Sequence, residues 1–170
     1  NLPPFSRKTA IEIIENEFGT NIDNIFSQFS EPIAAASIAQ VHFAKIKSSN
    51  TEIDVAVKVL RPEIEKIINQ EMERLEWLTT FMENFTEFQR LRPNSIIKKA
   101  KEVIKFELDL RYEAAAASEL SENTNMDESF YVPTVYWDKV TQKILTMEKI
   151  IGVPCLLYTS DAADESSSGG

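Results

Sequence analysis

The chain has 170 residues, 43% of them apolar and 26% charged, which is the composition of a globular domain rather than a disordered tail. Eighteen Lys and Arg against 27 Asp and Glu give a net charge of −9, a balance that repels phosphate backbones and removes nucleic acid from the expected partners. No run of about 18 apolar residues is present to span a membrane, the first residues carry no basic-then-apolar leader pattern, and one Cys with one His leaves no internal disulfide and no recognisable metal site.

In chain order, Pro3 and Pro4 precede Ser6, an N-cap residue, and Ile11, Ile14 and Phe18 then recur at helical spacing until Gly19 stops the run. Ile22, Ile25, Phe26 and Phe29 predict a second short helix ending before Pro32, so that residues 1–31 read as a helical extension. At Val41 the apolar period changes to two. Val41 to Ile46, a polar turn through Ser48, Ser49 and Asn50, and Ile53 to Leu60 predict a β-hairpin closed by Arg61-Pro62.

Ile64, Ile67, Ile68, Met72, Leu75 and Leu78 mark a helix to about Phe85. A longer helix is expected from Ser95 to about Leu120, with an apolar stripe of Ile96, Ala100, Val103, Ile104, Phe106 and Leu110 that Ala114 to Ala117 extend. After a polar loop, 123–129, two more strands are expected, Phe130 to Trp137 and Lys143 to Lys149. The order predicts an α+β fold, an antiparallel sheet with its helices gathered on one side, occupying residues 32–154.

Beyond Pro154 the wording changes. Cys155 to Glu165, CLLYTSDAADE, resembles residue by residue the translated end of a sequencing-library transposon adapter, and Ser166 to Gly170 follow as a Ser/Gly run. The tail 155–170 is therefore expected to be non-native and disordered, against the alternative of a genuine Ser/Gly-rich linker. On that reading the natural protein continues differently after Pro154, and the chain starts within a longer one.

Three groups of residues carry candidate chemistry. In the second strand of the hairpin Ile53, Val55, Val57 and Val59 point to one face and Asp54, Ala56, Lys58 and Leu60 to the other; Lys58 alone reads as a solvated outer residue. Upstream, Ala34, Ala36, Ala39 and Val41 occupy the four spaced positions of a kinase Gly-rich loop, G-x-G-x-x-G-x-V, with alanine at each glycine, and Val55-Ala56-Val57-Lys58 fits the V-A-I-K strand that follows such a loop. An alanine-rich stretch is by default a helical turn, so each match is weak alone and stronger with the other. Third, Glu107, Asp109 and Glu113 lie on the expected long helix. Asp109 and Glu113 would share a face and Glu107 would be rotated by about 120°, or all three would form a solvated acidic face.

With Ser37-Ile38-Ala39-Gln40-Val41-His42, Leu60-Arg61-Pro62, the E-x-D-x-x-x-E-A pattern from Glu107 to Ala114 and Leu145 to Gly152 (LTMEKIIG), the chain resembles the UbiB, or aarF-domain, family of atypical kinase-like proteins associated with ubiquinone (coenzyme Q) biosynthesis. Many members carry Asn where Ala116 stands here. The resemblance implies a protein-kinase-like N-lobe preceded by a helical extension, with the C-lobe missing, and an adenine nucleotide, ATP or ADP, as ligand. Lys58 would meet its phosphates and Glu113 would hold the ammonium. Ala34, Ala35, Ala36, Ser37 and Ala39 would form the loop over the phosphates, and Val41 and Ala56 would enclose the adenine. Met147 would be the gatekeeper, with the Glu148 carbonyl and the Ile150 N–H at the adenine edge.

In the same resemblance Glu107 and Asp109 belong to an acidic motif that faces a K-x-G-Q motif lying before Asn1. His42, following the loop on the strand, is expected to have a structural hydrogen-bonding role rather than a catalytic one. Mg²⁺ is expected only with the missing C-lobe, so the truncated chain is expected to be inactive. The implied partners are ubiquinone-biosynthesis proteins or lipid precursors. Membrane contact runs through missing segments, on the cytoplasmic side in a bacterium or at the mitochondrial inner membrane in a eukaryote. The other class to be weighed is a catalytically silent kinase-like scaffold for lipid-modifying enzymes. Alanines in place of glycines should close or strain the loop, so Ala34→Gly or Ala36→Gly should alter nucleotide preference.

Overall fold

The computed structural model describes residues 3–48, 51–83, 85, 92–127 and 129–152; the tail 155–170, expected to be non-native and disordered, lies outside them. A four-stranded antiparallel sheet of order β1-β2-β3-β4 is built from β1 (Gln28–Ala35), β2 (Ala39–Ser48), β3 (Thr51–Leu60) and β4 (Ile144–Glu148). Among the described residues four α-helices accompany it: α1 (Arg7–Phe18), α2 (Ile64–Met82), α3 (Pro93–Glu107) and α4 (Leu110–Asn123). The α+β fold with a kinase-like N-lobe sheet, expected from the sequence, is present.

Helix α1 starts and stops where its sequence dictates. The Ser6 hydroxyl accepts from the Thr9 N–H at 3.1 Å, and Gly19, at φ 65°, closes the helix in the left-handed region where a side chain is disfavoured. The second helix expected over 22–29 is not there. Ile22–Asn24 makes a single 3₁₀ turn, and the chain then extends into β1, which carries the strand across the boundary expected at residue 31. Pro32 is tolerated because β1 is an edge strand, with irregular register on either side of the proline.

The expected hairpin of β2 and β3 is regular from Ala39↔Leu60 to Ser48↔Thr51. The long helix expected from Ser95 is broken into α3 and α4 at Leu108 and Asp109. Leu108 is buried, Asp109 turns extended (φ −127°, ψ 98°), and its carboxylate accepts from the Arg111 N–H to cap α4, while the Leu110 N–H bonds the Gln142 carbonyl. Of the strand expected over 130–137, one bridge remains, Val135 with Met147. The Tyr136 N–H donates to Thr146 O and the Glu148 N–H to Thr134 O along the outer rim of β4.

Helices lie on both faces of the sheet, not on one. On the first face Ala10 and Ile14 of α1 pack with Phe26, Phe29, Ala44, Val55, Val57, Val59 and Ile144. On the second, Leu110 and Ala114 of α4 pack with Ala39, Leu60 and Leu145. Helices α2 and α3 pair mainly with each other through Lys101–Glu76 at 2.6 Å and the Thr79 hydroxyl donating to Asn94 at 2.6 Å. Much of the apolar stripe expected to be core there, including Ile96, Val103 and Phe106, is exposed.

Candidate functional site

Strand pairing decides what the second face carries. Lys58 lies opposite Val41 on β2 and Leu145 on β4; one pleat along, Ala56 lies opposite Phe43 and Met147. The alternation of period two therefore brings Val41, Ala56, Lys58 and Met147 to one surface. That surface is half-buried and continues the apolar patch under α4, so Lys58 does not emerge on a wholly solvated face.

The break at Asp109 sets Glu113 in the first turn of α4, where the helix N-terminus favours a carboxylate. From there it reaches the sheet, and the Lys58 ammonium donates to Glu113 Oε2 at 2.6 Å. The side chains are 28% and 46% exposed, so the pair is wet on one side and acts by orientation more than by net stability. The helical-wheel relation expected between Glu107, Asp109 and Glu113 does not hold across the break. Glu107 ends α3 on the surface, and Asp109 is engaged by Arg111 through Nε at 2.9 Å and Nη2 at 2.6 Å. The Arg111 guanidinium holds the Asp109 carboxyl below its ordinary pKa.

The alanine-rich stretch is the β1–β2 hairpin. Ala34 pairs with Val41 and Ala35 with Gln40, and Ala36, Ser37 and Ile38 form the tip, closed by the Ala36 N–H donating to Ala39 O at 2.8 Å. None of these alanines has positive φ. Alanine is accommodated without strain, and the tip is closed rather than splayed.

The buried His42 follows on the first face. Its Nδ1 bonds the Ser30 carbonyl at 2.9 Å, so the proton sits there, and Nε2 accepts from Gln40 Nε2 at 2.9 Å. Burial lowers its pKa, and its ring stacks on Phe29. These contacts are structural.

Beyond β4, the Glu148 carboxylate accepts from the Tyr131 hydroxyl at 2.6 Å and the Thr134 N–H at 3.2 Å, and the first of these lowers its pKa. Ile150 is exposed just past the strand. The sequence reading passed over two neighbours. Phe43 shares the face of Val41 and Ala56, and Lys149 Nζ lies 4.2 Å over its ring. The period-two pattern of β2 already placed Phe43 on that side. Among the described residues no group of His, Cys, Asp and Glu is spaced to hold a metal ion, and no helix is long and apolar enough to cross a membrane.

Comparison with known proteins meets this geometry. The profile of the ABC1 atypical kinase-like domain matches residues 1–167. Proteins named probable protein kinase UbiB from Pseudomonas putida (strain W619), Pseudomonas aeruginosa (strain UCBPP-PA14) and Pseudomonas entomophila (strain L48) are each 41% identical over 155 residues. The aligned part is 90% of this chain and 28% of each relative, so the chain spans under a third of the length of the curated relatives it matches. A lysine and a glutamate joined across strand and helix, an alanine hairpin ahead of them and a family profile over nearly the whole sequence agree: the chain belongs to the ABC1 atypical kinase-like, or UbiB, family.

Proposed function

We propose that this chain forms the adenine-nucleotide-binding part of a UbiB-type atypical kinase or ATPase that supports ubiquinone biosynthesis at a membrane. The observation that carries the reading is the 2.6 Å Lys58–Glu113 pair on the face that Lys58 shares with Val41, Ala56 and Met147. A phosphate-binding lysine must be aimed, and a carboxylate one helical turn inside α4 aims it. Val41, Ala56 and Met147 would supply the apolar slot that an adenine ring needs, and the alanine hairpin, whose Val41 pairs with Lys58, would cover the phosphates.

Both ATP and ADP fit this reading, and Mg²⁺ would be held only together with the C-lobe. Lipid precursors or ubiquinone-biosynthesis proteins would be met at a membrane, at the cytoplasmic face in a bacterium or the mitochondrial inner membrane in a eukaryote, through segments outside this chain. The 170-residue chain by itself should turn over no ATP above a Lys58→Ala control.

The test is calorimetric titration of ATP and ADP into the full-length protein. Lys58→Ala should abolish binding, and Glu113→Gln should weaken it about tenfold by releasing the lysine. Wild-type affinity in Lys58→Ala would overturn the site. A wild-type protein that binds neither nucleotide would be a catalytically silent scaffold for lipid-modifying enzymes.

A further inference from the structure

We propose that Arg61 is a positioning residue that couples the segment entering the fold at Pro3–Phe5 to the tip of the alanine hairpin, so that the path of the entering chain sets how firmly the tip is held. The coupling stands on geometry; its consequence for nucleotide rests on the proposed site.

Arg61 directly follows β3, and its groups serve both partners. Its backbone N–H donates to the Ile38 carbonyl at 2.9 Å. Its side chain donates to the Ala36 carbonyl from Nε at 3.2 Å and from Nη2 at 2.9 Å, and to the Pro3 carbonyl from Nη1 at 3.0 Å. The carbonyls on either side of Ser37 are thus both held by one residue. The same guanidinium lies 5.9 Å from the centre of the Phe5 ring.

Phe5 is itself fixed. Its N–H donates to Gln40 Oε1 at 2.9 Å, and Gln40 Nε2 donates to its carbonyl at 3.2 Å, so the Gln40 amide holds Phe5 much as a neighbouring strand would. The entering segment and the tip are distant in sequence but share one rigid planar fork. Arginine suits this place because its donors diverge from a single plane, whereas a lysine ammonium is a compact point that cannot reproduce the fork. Displacing Pro3 or Phe5 removes one side of the fork's surroundings and frees it to leave Ala36. By reciprocity, whatever fixes the tip also fixes the entering segment.

The experiment is amide hydrogen exchange by NMR on the 170-residue chain, reading Ala36, whose N–H closes the tip, with Val57 in the central strand as reference. Arg61→Lys should exchange Ala36 about tenfold faster while leaving Val57 and the urea midpoint unchanged. Phe5→Leu keeps an apolar side chain but removes the ring beneath the guanidinium. It should speed Ala36 exchange by about threefold in the wild-type background and add nothing in Arg61→Lys. Unchanged Ala36 exchange in Arg61→Lys, or an equal Phe5→Leu effect in both backgrounds, would overturn the coupling.

In the full-length protein, Arg61→Lys should also change the Kd for ATP about fivefold. Accelerated exchange with an unchanged Kd would overturn the functional half of the proposal. A wild-type protein that binds no nucleotide would defeat the proposed function and leave the exchange measurements to decide the coupling.

Discussion

The two faces of the sheet are made from the same strands and could hardly be used more differently. On the face toward α1, Val55, Val57, Val59 and Ile144 are wholly buried, and of the polar groups among them Gln40 and His42 bond to each other and to backbone. On the face toward α4 the fully buried contact ends at Ala114 and Leu145, and Met147 packs half-buried against it. Beyond it the surface opens onto Lys58, Ala56 and Phe43, which are half-buried too. A sheet covered by one helix on each side would be a stable object with no site. Because α4 covers only one end of its face, the other end is left accessible while the opposite face supplies the stability.

The comparison can be broken from the sealed side first. Phe26→Ala removes a ring buried to 1% exposure and should cost about 3–5 kcal/mol, measured by urea unfolding. Ala114 of α4 is fully buried against the other face. Ala114→Leu should cost about 1–3 kcal/mol by overpacking and lengthen the Lys58–Glu113 distance, seen as a loss of nucleotide affinity with the sheet intact.

His42 gives the sealed face a pH signature. Burial lowers its pKa below the ordinary value, so the unfolded chain binds more protons. Stability from this residue is therefore complete above about pH 6.5 and is lost as the pH falls below that. Urea midpoints at pH 7.5 and 5.5 should differ in the wild type and converge in His42→Gln; a difference that persists in the variant would place the titration elsewhere.

On the open face, Lys58→Ala should change stability by less than about 1 kcal/mol, since the pair is partly solvated, while removing nucleotide binding. Smallest of all, the Thr146 hydroxyl is buried on the sealed face without a hydrogen-bond partner among the described residues. Thr146→Val should raise stability by about 0.5–1 kcal/mol, and a loss on thermal melting would mean that the hydroxyl is satisfied.

The sealed face was the more legible of the two in sequence. Its strands alternate strictly, and α1 carries both caps, because local patterning and burial agree there. Three elements were hidden. Ile22, Ile25, Phe26 and Phe29 fall at helical spacing and predict a short helix ending before Pro32; the spacing arises instead from a 3₁₀ turn followed by the start of β1, both facing the same core. The break at Asp109 was masked by helix-forming residues on either side, and the Leu110–Gln142 bond that holds it is tertiary. The segment 130–137 has strand composition but only a single bridge.

For the site, the expectation that Lys58 meets Glu113 rests on the family resemblance; strand alternation by itself sets only the face of Lys58 and leaves Glu113 on an acidic helix face. The helix break and the Arg61 fork were not readable, because both depend on contacts between segments distant in the chain.

The rims of the sheet carry a consequence for solubility. One rim is β1, where Pro32 has no N–H to offer and the register is irregular on both sides of it. The other, β4, has its outward groups taken by Thr134 and Tyr136. A strand arriving from another molecule would find no uninterrupted ladder at either border, so lateral growth into fibrillar assemblies is discouraged at the two places where an antiparallel sheet is most exposed to it.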